Sequence, residues 1–360
     1  MLGLYVHIPF CETICTYCDF TKRIKKDNKM INDYLEALMR DYYEIRHLNF
    51  NTIYIGGGTP SMLTVNQLEK LFKIFENQRP IEYTIEINPE SYTEKKGLLF
   101  KRYNINRISL GIQTFNETIL ASLNRKHTNK DVFNTLRHLI NIGLYNINID
   151  MMFSLPKQTM EDLLNDLKIV NKLPITHISY YNLILEEKTV LYHDYLNKKF
   201  VPNNDELEAK MYNTVIDNLL ENGFTHYEVS NFHKGNPSFH NIIYWTNENY
   251  HAIGAGAHGF YEDHRYNYTK NVSSYILNPI REIIPQTEEM NYQDTLIFGL
   301  RLVEGINLDE VYNKFKREPL KDFPKIENFI KDDLLEIVDN HLRATRKGLL
   351  FLNQIELIFV

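Results

Sequence analysis

The chain has 360 residues, 43% hydrophobic and 24% charged, which fits a soluble globular protein of two or three domains, or one large α/β domain with an appendage. A net charge of −6 speaks against broad electrostatic binding to nucleic acid. No apolar run reaches the roughly 18 residues needed to span a bilayer, and the opening "MLGLYVHIPF", interrupted by His7 and Pro9 and without a basic leader, reads as a first strand, not a signal peptide.

From there a strand-then-helix rhythm runs through the first half. "LGLYVHI" is followed by "INDYLEALMRDYYEI" with apolar residues at helical spacing, then by the strand "TIYIGGG". In "TVNQLEKLFKIF" Thr64 and Gln67 predict a capping box, and Val65, Leu68, Leu71, Phe72 and Phe75 form one face. "EYTIEIN" and "INRISLGI" are the third and fourth strands, a helix spans about 129–141 before Gly143, and "YNINIDMMF", "TMEDLLNDLKIV" and "THISYYNLI" supply strand, helix and strand. Six such steps imply parallel strands, because parallel neighbours need crossover connections. Beyond about residue 190 the rhythm changes. "ELEAKMYNTVIDNLLENG" is a long helix, a loop-rich stretch runs through "GAGAHG", and from about Pro285 the chain is helical before a strand–turn–strand in "LLEIV…HLRATRKGLLFLN". The expected division is a core over 1–235, a loop-rich connecting segment over 236–284, and a small helical, winged domain over 285–360. Arg343, Arg346 and Lys347 in the wing are too few in an acidic chain to make a nucleic-acid module and read as a solvated turn.

All three cysteines, Cys11, Cys15 and Cys18, lie within "HIPFCETICTYCDF". Three cannot all pair, and their i, i+4, i+7 spacing fits a reducing cytoplasm better than a secreted disulfide framework. Two metal centres suit three thiolates so spaced: a zinc ion with His7 as fourth ligand, or a 4Fe–4S cluster in which one iron has no cysteine and stays open to a small molecule. Further polar residues fall at or near the C-terminal ends of successive strands, the edge that carries the active site of a βα barrel. They are the glycine run at Gly56, Gly57 and Gly58, which admits close backbone approach to a ligand, together with Glu86, Gln113 and Asp150; Arg125 follows in "LNRKHT".

The CxxxCxxC motif, with Tyr17 just before its last cysteine, resembles the signature of the radical S-adenosylmethionine (SAM) enzymes. The resemblance implies a partial (β/α)6, TIM-like barrel and a 4Fe–4S cluster on Cys11, Cys15 and Cys18. In that family the amino and carboxylate groups of SAM chelate the open iron, and one electron cleaves SAM to methionine and a 5′-deoxyadenosyl radical. By the same resemblance Gly57, Gly58 and Thr59 support the methionine end of SAM; Tyr5, Glu86, Gln113, Arg125 and Asp150 hold it; and Tyr17 lies near its adenine.

Within the superfamily, "LYVHIPFC", "GGGTPS", "LGIQTF", "HYEVSNF" and "IGAGAHG" resemble the oxygen-independent coproporphyrinogen III oxidases and their relatives, the heme chaperones of the HemW type. The oxidases carry a further cysteine two residues after the third, where this chain has Phe20, and a long arm before the cluster, where this chain has its first cysteine at position 11. "HNIIYW" resembles the HNxxYW motif associated with heme binding in the chaperone branch. Imidazole is a common axial ligand to heme iron, so the resemblance points to His240, with His251 and His258 as competitors. It implies a cytoplasmic heme chaperone with heme-acceptor proteins, membrane-associated ones among them, and an electron donor for the cluster; it allows a homodimer. The alternative is an oxidase of porphyrin biosynthesis that decarboxylates coproporphyrinogen III to protoporphyrinogen IX. No residue is assigned as catalytic.

Overall fold

Strand and helix alternate as the sequence predicts. The computed structural model, which describes residues 1–25 and 27–360, places six parallel strands side by side in chain order: β1 (Gly3–Ile8), β2 (Thr52–Gly57), β3 (Glu82–Ile87), β4 (Arg107–Gln113), β5 (Ile147–Phe153) and β6 (His177–Asn182). Helices α1 (Asn28–Ile45), α2 (Val65–Ile74), α3 (Glu94–Arg102), α4 (Asn129–Asn141) and α5 (Met160–Val170) make the crossovers. Their starts are fixed locally. The Thr64 hydroxyl accepts from Gln67 N at 3.3 Å while the Gln67 side chain accepts from Thr64 N at 3.0 Å, and Thr128–Asp131 and Thr159–Asp162 repeat the device at α4 and α5.

Alternation along the strands divides the sheet into two unlike faces. Leu4, Val6, Ile53, Ile55, Ile85, Ile108, Leu110, Ile147 and Ile149 are fully buried and belong to one apolar cluster with Leu38, Leu68 and Leu71 of the helices. Each such side chain contributes about 1.5–3 kcal/mol through burial, so this face holds the helices on. The other face is polar and cross-linked. Tyr54 OH donates to Glu86 at 2.8 Å, Ser109 donates to Asp150 at 3.0 Å, and the Asn148 amide donates to Ser109 at 2.7 Å and to Asp150 at 2.8 Å. A parallel sheet buried on both sides is normally apolar throughout; here the second face is reserved for a site.

The sheet is larger than six strands, and here the structure departs from the sequence reading. Strands β7 (Thr225–Glu228) and β8 (Asn231–His233) extend it antiparallel beyond β6. Strand β9 (Tyr250–Ile253) pairs parallel with the outer edge of β1, and β10 (His258–Tyr261), β11 (His264–Tyr268) and β12 (Arg281–Pro285) follow antiparallel. The segment 236–284, expected to be loop-rich, therefore carries a helix, Phe239–Trp245, and strands of the main sheet. Asp41 in α1 fastens this extension: its buried carboxylate accepts from Tyr268 OH at 2.5 Å and Tyr275 OH at 2.7 Å.

The C-terminal part is a small domain of short helices and a separate three-stranded sheet, β13 (Ile306–Asn307), β14 (Leu335–Val338) and β15 (His341–Ala344), ordered β13-β15-β14. The predicted wing is the β14–β15 hairpin, closed by Asp339 and Asn340, both at positive φ as a two-residue turn requires. Residues beyond it, Arg346–Leu349 and Leu352–Glu356, are helical and not strand. Among the described residues no helix is long and apolar enough to cross a membrane.

Candidate cofactor site

The cysteines sit on the loop that leaves β1. Its ends are clamped: Phe10–Cys11 pairs with Arg23–Ile24, Arg23 N donates to Pro9 O at 2.6 Å and Lys25 N to Cys11 O at 2.9 Å. Its middle is held from outside, by Thr16 N donating to Leu123 O at 3.2 Å, the Asn124 amide to Ile14 O at 2.8 Å and Leu191 N to Thr16 O at 2.9 Å. Cys11 is buried, Cys15 and Cys18 are half-buried, and all three are free thiols. Burial pushes the Cys11 thiol up to about 11 and raises that of Cys18, so a metal bound here displaces protons.

The three thiols border a cavity of about 550 Å³. Tyr17, Gly57, Gly58, Thr59, Glu86, Gln113, Arg125 and Asp150 line it with them, so most of the residues singled out in the sequence converge. The Thr59 hydroxyl lies 3.7 Å from Cys11 Sγ, and Arg125 Nη1 lies 3.7 Å from Cys15 Sγ. Arg125 is fixed by Nη2, which donates to Gly111 O at 2.6 Å and to Asn88 Oδ1 at 3.1 Å. The sequence reading missed Asn88, which also donates to the Thr59 hydroxyl at 3.3 Å. Its signal was parity, since it lies two residues after Glu86 on the same strand line.

The glycine run serves the protein's own atoms. A Cβ on Gly58 would lie 2.7 Å from Phe10 O and 2.9 Å from Cys11 Sγ; one on Gly57, already at φ +113°, would lie 2.5 Å from the His7 ring. The run thus lets the cysteine loop fold back onto β2, while Gly57 N donates to Glu86 Oε2 at 3.0 Å.

Several polar atoms in the cavity wall lack partners. Gln113 is held at φ +69° at the end of β4, beside a register shift, and its buried Oε1 is unpaired, as is Arg125 Nε. Buried orphans of this kind are what a bound polar ligand satisfies. Burial, and then the Asp150 carboxylate, push Glu86 up to about 7, against its bonds from Tyr54 and Gly57 and the pull of Arg107; burial also raises Asp150. Two desolvated carboxylates on one wall favour a cationic guest. In the metal-free protein Glu86 prefers its proton when folded. Its effect on stability is therefore a loss as pH rises from about 4.5, the unfolded value, through 7. Glu86→Gln should match wild type in thermal unfolding at pH 4 and exceed it at pH 8, by on the order of 3 kcal/mol. An equal difference at both pH values would remove this electrostatic account.

Two of the expected residues stand apart. Tyr5 pairs in register with Tyr54 and Ala252, two positions before the level of Gly56, and its hydroxyl bonds to His7 Nδ1 at 2.9 Å. It lines a smaller inner cavity of about 160 Å³ and not the cysteine cavity. His240 lines that inner cavity too and is 2% exposed. Its Nδ1 bonds to the Thr52 hydroxyl at 2.7 Å, its Nε2 bonds to Tyr244 OH at 2.8 Å, and its ring stacks on Tyr54 at 5.3 Å. Both nitrogens are hydrogen-bonded within the fold. His7 does not join the cysteines: Nδ1 meets Tyr5 OH and Nε2 meets Thr21 O at 2.8 Å. Among the described residues no three His, Cys, Asp or Glu side chains are arranged around a single ion. A polynuclear centre, whose ligands sit on different metal atoms, suits separated thiols where a lone zinc does not.

The fold and the cysteine loop define a protein of the radical SAM type. The model of the Radical SAM superfamily matches residues 5–170, and that of the HemN C-terminal domain matches 286–351. The chain is 36% identical over 356 residues to the heme chaperone HemW of Lactococcus lactis, across 96% of this chain and 93% of that one. To the heme chaperone HemW of Bacillus subtilis it is 34% identical over 372 residues, across 99% and 98%. The structure of coproporphyrinogen III oxidase (HemN) from Escherichia coli superposes with a TM-score of 0.86, covering 99% of this chain and 89% of that one, at 21% identity, a likeness of fold. The chain belongs to the HemW family within the radical SAM superfamily.

Proposed function

We propose that the protein is a heme chaperone that carries a 4Fe–4S cluster and SAM, binds heme and passes it to acceptor proteins. The observation that carries the choice over an oxidase is identity of 36% to a named heme chaperone across 96% of the chain, against 21% to the oxidase of like fold. Phe20, standing where the oxidases' further cysteine would be, supports it.

In this reading Cys11, Cys15 and Cys18 hold the cluster. A cluster held by three cysteines offers an iron open to a ligand and one-electron chemistry. The residues around it prepare the seat for SAM. Gly57, Gly58 and Thr59 carry the backbone past Cys11, and Glu86 and Asp150 present carboxylates to a cationic group. Arg125, anchored by Gly111 and Asn88, presents a guanidinium toward Cys15, Gln113 offers its unpaired oxygen, and Tyr17 supplies an aromatic wall. Tyr5 acts from one layer below by orienting His7. The reading carries with it a cytoplasmic location and an electron donor. The experiment that separates chaperone from oxidase supplies the anaerobically reconstituted protein with SAM, a reductant and coproporphyrinogen III, and measures protoporphyrinogen IX.

A further inference from the structure

Glu90 is a carboxylate of the cavity wall to which the seat for SAM, as described, gives no part. It lies in the turn Pro89–Ser91, directly after β3. That turn is held from several sides. Lys96, buried, donates from Nζ to Ser91 O at 2.6 Å and to Ser61 O at 2.7 Å. Asn88 N donates to Ser61 Oγ at 2.9 Å, and Ser91 Oγ donates to Asn88 O at 3.1 Å. A satisfied polar network of this kind is rigid, so Asn88 and Glu90 are presented from a fixed frame.

The frame faces the chain between the helix Glu117–Ser122 and α4. Leu123, Asn124 and Arg125 of that segment hold the cysteine loop, at Thr16 N, Ile14 O and Cys15 Sγ respectively. The same segment meets the turn twice. Arg125 Nη2 donates to Asn88 Oδ1 at 3.1 Å, and two residues further on His127 Nδ1 lies 3.4 Å from Glu90 Oε2. The His127 side chain is fully buried, and neither ring nitrogen has another polar partner among the described residues. A buried imidazole left alone is costly, and Glu90 is the group the fold sets against it. Burial works against the charge of Glu90, yet the His127 ring and the Arg125 guanidinium outweigh it and hold the carboxyl below its ordinary value. The segment that carries Arg125 is thus tied down on both sides of the guanidinium, to the cysteine loop and to the turn.

We propose that Glu90 and His127 are positioning residues for Arg125: the pair fixes the guanidinium beside Cys15, where it receives the carboxylate of SAM. A guanidinium suits a carboxylate because its fork of N–H donors matches two oxygens, and that match is lost when the fork can tilt. Arg125 has donors left for it, since Nε is unpaired and Nη1 makes only the 3.7 Å approach to Cys15 Sγ. The proposal rests on the reading that the cavity holds SAM on a cluster, and it extends that site to a pair acting through the arginine. Without His127 the guanidinium keeps Asn88 and Gly111 but its segment loses the second tie, so SAM is held less well while the cluster stays.

The test is a titration of the anaerobically reconstituted full chain with SAM in the absence of reductant, so that SAM stays intact, with bound SAM measured by ultrafiltration and iron counted in each preparation. His127→Leu and Glu90→Leu should each keep the full iron complement and bind SAM about 10-fold more weakly, the usual cost of losing an outer-shell partner. His127→Asn, whose amide nitrogen stands where Nδ1 stood, should recover affinity to within about two-fold of wild type. In an Arg125→Gln background His127→Leu should cost nothing further, because the pair acts only through the arginine. Wild-type affinity in His127→Leu, or a full additional loss in the Arg125→Gln background, would overturn the proposal and leave the proposed function standing. Loss of iron in His127→Leu and Glu90→Leu alike would also overturn it, by making the pair a tie of the cysteine loop. If wild type with its full iron complement binds no SAM, the reading of the cavity itself falls and this proposal with it.

Discussion

Replacement of Cys15 by alanine is expected to give a folded protein that retains no iron. Cys15 is half-buried, and Arg125 Nη1 lies 3.7 Å from its sulfur, so alanine there removes little packing. The loop around it is held by backbone bonds at Thr16, Cys18, Arg23 and Lys25 that the substitution leaves alone. Only three cysteines exist in the chain, so a variant with two has no substitute ligand to recruit. After anaerobic reconstitution and desalting, wild type should hold about four irons per chain with the broad visible absorption of a 4Fe–4S cluster. The variant should hold close to none, with a melting temperature for its metal-free form near that of metal-free wild type. A full iron complement in Cys15→Ala would show that the three cysteines are not the ligands. Zinc in place of iron in wild type would return the site to a structural metal.

Replacement of Glu82 by alanine should cost about 3–5 kcal/mol of stability, because a buried ion pair then loses one partner. Glu82 begins β3 and is buried. Its carboxylate accepts from Ser238 Oγ at 3.0 Å, Phe239 N at 3.0 Å and His240 N at 2.9 Å, and so serves as the N-terminal cap of a helix 157 residues away in sequence. That helix has no cap of its own, since the Ser238 side chain makes no capping bond. Arg107, also buried, lies 4.0 Å from the same carboxylate. Glu82→Ala leaves the guanidinium without its counter-charge and the helix start unpaired. Denaturant unfolding of metal-free protein should show the loss, and Glu82→Gln, which keeps an acceptor but not the charge, should fall between. If Glu82→Ala is within about 0.5 kcal/mol of wild type, the helix carrying His240 is held by something other than this carboxylate.

The parts legible in the sequence were those whose signal is local. Alternation in "TIEINPE" and "NINIDMM" placed Glu86 and Asp150 on the face opposite the isoleucines, and both meet in the cavity. The Thr64–Gln67 capping box was readable because both partners lie within one turn. What the sequence hid depends on depth and on distant pairing. Alternation says which face Tyr5 is on but not how far up the strand it sits, and at roughly 3.3 Å per residue two positions separate a cofactor contact from the layer beneath. Only the register Tyr5↔Tyr54 fixes that depth. The strands "YHAI", "HGFY" and "HRYNY" are short, polar and rich in aromatics, and β9 pairs with a strand some 247 residues earlier in sequence, Gly3↔Tyr250, so nothing nearby announces them. The surroundings of His240 were hidden for the same reason: a motif gives a residue type and spacing, whereas Thr52 and Tyr244, which bond its nitrogens, are known only from the fold.

The central claim is that this chain handles heme and does not make its precursor. The most direct measurement incubates the anaerobically reconstituted protein with SAM, a low-potential reductant and coproporphyrinogen III, and follows porphyrinogen products by chromatography after oxidation. The account predicts coproporphyrinogen recovered unchanged from a preparation that holds its full cluster and binds hemin one to one. Multiple turnovers to protoporphyrinogen IX by that same preparation would contradict it and assign the protein to porphyrin biosynthesis.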